Sequence, residues 1–114
     1  MNKEVPVFLK PLAEADEKLY AIVDETLGLV HCEGALEPKY KHLMSMVADA
    51  MCHHTSGAVA CMREAIEAGA TKEQAIEALR IVFSAAGLPM LIENLAVYLS
   101  LIHISEPTRL GMIS

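Results

Sequence analysis

Apolar residues recur along the chain at three- and four-residue spacing, the period of a helix with one buried face. Leu12, Ala15, Leu19, Ile22, Val23, Thr26, Leu29 and Val30 predict a first helix, with Glu14 and Lys18 as an i,i+4 pair on its wet face. Gly34 is placed to end it. A second helix is predicted from Pro38, a favoured first helical residue, with the stripe Leu43, Met46, Val47, Ala50 and Met51. His42, Ser45, Asp49 and Cys52 lie on another stripe of the same helix. It is expected to stop or kink near residues 52–55. Thr55 or Ser56 can cap a third helix running to about Ala68, closed by Gly69. On that helix Ala58, Cys61, Ala65 and Ala68 make a small face open to close helix approach. Val59, Met62 and Ile66 make a bulkier one, and Arg63, Glu64 and Glu67 face water.

Thr71 and Gln74 form a capping box for a fourth helix, with a core stripe of Ala75, Ile76, Leu79, Val82, Phe83 and Ala86. Gly87 and Pro89 break it, and a fifth helix is predicted from about Pro89 to Tyr98. The first 11 residues, with Pro6 and Pro11, read as a short arm. No window alternates with period two, so the fold class is all-α, a helical bundle of about five helices.

Composition narrows this picture. The 114 residues fit one domain, and 54% of them are hydrophobic. That apolar share exceeds the usual one, and part of the excess is expected at a subunit interface. A chain this small buries a modest core, so partner subunits are expected to contribute to its stability. The net charge of −6 argues against nucleic-acid binding, because nothing neutralises phosphates. The apolar run 81–105 contains Gly87, Pro89, Glu93 and Asn94, so no transmembrane helix is expected. The first residues lack the apolar core of a signal peptide, and three cysteines cannot all pair within one chain. A cytoplasmic protein with free thiols is the expectation.

Residues 99–109, LSLIHISEPTR, resemble the translation of a transposase-type sequencing adapter. Residues 99–114 are therefore read as a non-native tail, and the single native domain as residues 1–98. His103 falls in that tail.

The central segment carries the candidate chemistry. Ala65, Gly69, Ala70 and Thr71, followed by Glu73 and Glu77, resemble the carboxymuconolactone decarboxylase family, which includes the alkyl hydroperoxidase D-like proteins. The resemblance extends through Gly87, Leu88 and Pro89 and covers roughly residues 36–92. It implies an alkyl hydroperoxidase D-like helical fold and a homo-oligomer, a trimer or hexamer, acting on a small molecule. Redox members of the family carry Cys-x-x-Cys-x-x-x-His, with a Glu upstream. Aligned on Ala65 and Gly69, the His position is Cys61, the second Cys is Gly57, the first is His54 and the Glu is His42. The decarboxylase branch normally keeps the His that is Cys61 here. All four positions thus differ, and the family chemistry does not transfer unaltered.

What those positions hold instead is His42, His54 and Cys61, with Cys52 and His53 nearby. His54 and Cys61 share a helix face, and the family packing would bring His42 beside them. Two imidazoles and a thiolate suit a divalent transition metal such as zinc, with an open fourth position. An imidazolium beside Cys61 would instead lower its thiol pKa from ~8.5 and make it a redox thiol. Three readings follow: a thiol- or metal-dependent oxidoreductase of antioxidant type, with His42 and His54 as proton carriers or co-ligands; a lyase on a small lactone or carboxylate; and a non-enzymatic metal-binding oligomer. Plainer roles stand beside them. Cys61 can be a small buried hydrophobe, Cys52 and His53 a mobile helix junction, and Met44, Met46, Met51 and Met62 core filler. His31 and Cys32 can complement a helix end, and Glu37 a helix start.

Overall fold

The structure, a computed structural model, describes residues 4–104. Among them are a 3-10 turn, Val7–Leu9, and seven α-helices: α1 (Lys10–Ala15), α2 (Glu17–His31), α3 (Pro38–Met51), α4 (Thr55–Glu67), α5 (Lys72–Ala86), α6 (Leu88–Glu93) and α7 (Leu95–Ile102). There is no strand among the described residues, and the all-α expectation holds. The chain divides into two compact units at Gly34.

The first unit holds the 3-10 turn, α1 and α2. The single helix expected here is two. Asp16 leaves helical geometry (φ −144°, ψ 82°) and caps α2, its carboxylate accepting from the Leu19 N–H at 3.0 Å. Glu14 and Lys18 therefore sit on different helices and are no i,i+4 pair. α2 ends at His31, with extended Cys32 as its cap, before Gly34 is reached. None of the residues in these three elements is buried.

The second unit has a continuous core. α3 contributes Leu43, Met46 and Ala50; α4 contributes Ala58, Met62 and Ala65; α5 contributes Ala75, Leu79 and Val82; α7 contributes Val97 and Leu101. The predicted stripes supply most of these, because 3.6-residue periodicity puts them on one face. Phe83 is an exception: it is half exposed. Thr71 and Gln74 form the expected capping box, with reciprocal bonds of 3.0 and 3.1 Å. Gly87 ends α5 at φ +91°, a backbone region open to glycine.

α3 and α4 form an antiparallel hairpin joined by residues 52–54. Thr55 is the first residue of α4 and not its cap; His54 holds the cap position. The helix stops at residues 52–54 as expected, and the junction is a bonded turn. The His54 N–H donates to the Asp49 carbonyl at 2.8 Å and the Cys52 N–H to that of Ala48 at 3.1 Å. His53 adopts φ 64°, a left-handed conformation that costs an L-residue about 1–2 kcal/mol.

Asn94 divides the expected fifth helix into α6 and α7, and its side chain holds this turn. It is 1% exposed. Its amide donates to the Ala50 carbonyl at 3.0 Å and to the Met90 carbonyl at 2.9 Å. Its oxygen accepts from the Thr55 hydroxyl at 2.9 Å. α7 continues past Tyr98 to Ile102, and Leu101 is 3% exposed, so the adapter-like segment enters the core with its first residues. Residues 105–114 lie outside the described residues. No helix among the described residues is long and apolar enough to cross a membrane.

Replacing Asn94 by Ala removes three hydrogen bonds, one buried and two part-buried. Denaturant unfolding is expected to show a loss of about 2–4 kcal/mol.

Candidate functional site

Asp49 organises the chemistry of the α3–α4 hairpin. It lies on α3 one turn before the junction, on the stripe shared with His42. Its Oδ1 is 3.6 Å from Nδ1 of His54, and its Oδ2 accepts from the Cys61 thiol at 3.6 Å. His54 and Cys61 thus both reach one carboxylate, from the start of α4 and from two turns further along it. The His54 side chain is 60% exposed and that of Asp49 33%, so the ring is open to solvent while its partner is partly sheltered.

Gly57 makes this arrangement possible. A Cβ there would collide with the His54 ring and lie 2.7 Å from Asp49 Oδ2. His54, Gly57 and Cys61 follow one another at i, i+3 and i+7, which puts them on one face of the helix start. The absence of a side chain at the middle position lets the ring and the carboxylate meet across it.

His42 has a different partner. Its buried Nδ1 lies 3.4 Å from Oε1 of Glu64 on α4. His53 is bound away from the others, Nδ1 to Oε1 of Glu93, the last residue of α6, at 2.8 Å. Each histidine of this region therefore faces a carboxylate of its own. No three His, Cys, Asp or Glu side chains among the described residues come together as a metal ion would require. The donor set His42, His54 and Cys61 does not fit a shared metal.

The electrostatics of Cys61 run opposite to the expectation of a lowered thiol pKa. Burial, the charge of Asp49, the hydrogen bond to it and the charge of Glu64 push the thiol up from 9.0 to about 12. The group beside the sulfur is a carboxylate where an imidazolium was expected. All three cysteines are free, with Cys32 and Cys52 exposed.

Sequence reasoning placed Asp49 on the stripe of His42 without giving it a role, and it read Glu64 as facing water. Glu64 is exposed, yet it reaches His42. The stripe spacing was the available signal for Asp49. Asn94 and Glu93 had none, since their partners lie 39 to 44 residues and 40 residues away.

The carboxymuconolactone decarboxylase family model matches residues 17–97, and the chain belongs to that family. Its fold is similar to the crystal structure of a protein of Burkholderia xenovorans LB400 provisionally assigned as a carboxymuconolactone decarboxylase. The TM-score is 0.76 at 21% identity, over 96% of this chain and 85% of that one. A search of curated proteins returns no match.

Two outcomes follow. Gly57→Ala is expected to swing the exposed His54 ring off Asp49 while the hairpin stays folded, so that the His54 NMR shifts match those of Asp49→Asn. Alkylation by iodoacetamide at about pH 8 is expected to spare Cys61 long after Cys32 and Cys52 have reacted, because only thiolate reacts. Its rate should climb only as the pH approaches the raised value.

Proposed function

We propose that this protein is a proton-transfer enzyme of the carboxymuconolactone decarboxylase family, with His54 as general acid and base and Asp49 as its partner. The observation that carries the reading is the Asp49 carboxylate facing Nδ1 of an exposed ring. A carboxylate accepts only, so it favours the proton on Nδ1 and leaves the Nε2 lone pair outward. Nε2 can then take a proton from a substrate and return it, a role worth roughly 10²–10⁴-fold in rate. The substrate class is a small lactone or carboxylate. On loss of CO2 from such a molecule, the C–C bond breaks and its electron pair stays on the substrate. The protonated ring then delivers a proton to that carbon.

The oxidoreductase reading needs a thiolate. Cys61, at about 12, is held as the thiol at neutral pH, and two carboxylates oppose its ionisation. Peroxide reduction by Cys61 is accordingly the weaker reading, and the acid–base role the stronger. The free thiols suit a reducing cytoplasmic setting.

The homo-oligomer is part of the same proposal. On the side of α3 away from Asp49, Leu36, Tyr40, Met44 and Val47 join Ala78 and Ile81 of α5 around an apolar hollow of about 320 Å³. Tyr40, Met44 and Ile81 are each at least 40% exposed. Apolar surface of this kind, continuous across two helices, fits a second copy of the chain.

Small lactones and carboxylates screened for CO2 release or for solvent deuterium uptake test the function. His54→Ala is expected to abolish turnover, and Asp49→Asn to cut it by about 10²-fold or more. Full activity in His54→Ala, or thiol-dependent peroxide consumption by the wild type, would overturn the reading. Light scattering is expected to give a multiple of the 12.4 kDa chain mass.

A further inference from the structure

We propose that Cys61 is a positioning residue whose thiol, bonded to Asp49, turns that carboxylate toward His54 and so selects which ring nitrogen works. The role builds on the proton-transfer reading of His54, but the geometry behind it is separate. An aspartate carboxylate rotates over a broad, two-fold torsional range, so proximity to a ring does not by itself fix which oxygen faces it. Here each oxygen has a different neighbour: Oδ1 the His54 ring and Oδ2 the Cys61 sulfur, both at 3.6 Å.

The direction of the sulfur bond is settled by chemistry. An ionised carboxylate has no proton to give, so the thiol donates. The same surroundings that keep the thiol protonated keep that donor in place at neutral pH. Gly57 leaves the carboxylate room to sit there, since a Cβ at this position would lie 2.7 Å from Oδ2. Oδ2 thus meets Sγ and lies by a position that glycine leaves open, both on α4 and four residues apart. With Oδ2 engaged by the thiol, Oδ1 is left facing Nδ1 at 3.6 Å, an ion-pair distance at which its negative charge favours the proton on that nitrogen, and Nε2 keeps its lone pair. Cys61 acts on the ring through Asp49.

The test reads the ring, not turnover. In 15N-histidine-labelled protein, two-bond nitrogen–proton spectra at a pH where the ring is neutral distinguish the two tautomers. Wild type is expected to show His54 mainly protonated on Nδ1. Cys61→Ser keeps a donor and is expected to preserve that ratio. Cys61→Ala is expected to shift it several-fold toward the Nε2–H form that free side chains favour in water, as Asp49→Asn should. Unchanged His42 and His53 signals report that the hairpin is intact in each variant. A His54 tautomer ratio in Cys61→Ala equal to that of wild type overturns the proposal, as does a Cys61→Ser ratio that follows the alanine variant. These readouts are independent of catalysis, so an active His54→Ala would sink the functional reading and leave the tautomer result standing.

Discussion

The site depends on one buried carboxamide. Asn94 bonds to the last turn of α3 through Ala50, to the first residue of α4 through Thr55, and to α6 through Met90. Those bonds converge on a turn whose His53 is in a left-handed conformation that the chain would leave if unconstrained. Asp49 precedes Ala50 and His54 precedes Thr55, so the two partners of the proposed acid–base pair are each one residue from a position fixed by Asn94. Low dielectric around the amide strengthens each bond and makes each loss expensive.

The chain belongs to the carboxymuconolactone decarboxylase family, and the sequence resemblance puts the dithiol positions of its redox members on this helix start. In this chain the same positions hold His54, Gly57 and Cys61, and they are mutually dependent. The ring approaches Asp49 because Gly57 has no side chain. The carboxylate that receives the ring also receives the thiol, and by doing so suppresses its ionisation. Asp49 stands between the ring and the thiol. A sulfur beside a carboxylate is a poor nucleophile, whereas an imidazole beside one is a good proton carrier.

Much of the fold was legible because burial imposes a period. Met46, Ala50, Met62, Ala65, Leu79 and Val82 lie on stripes that could be counted. The missed breaks at Asp16 and Asn94 share a cause. Both residues leave the helix because their side chains satisfy backbone groups, one locally and one across the fold, and neither changes the apolar spacing. The site was legible as positions but not as partners. His54 and Cys61 could be placed on one face by counting. That a carboxylate stands between them is decided by how closely α3 and α4 approach, which no single helix reveals.

That approach rests on Ala50, Ala58 and Ala65, each wholly buried at the centre of the bundle. Their methyl groups act as spacers, and the hairpin's width is gauged by them. A bulkier side chain at any of the three would cost stability, as overpacking does elsewhere. Here it would also widen the gap across which Asp49 meets His54 and Cys61. The packing of the core and the spacing of the proposed acid–base pair are therefore set by the same few carbon atoms.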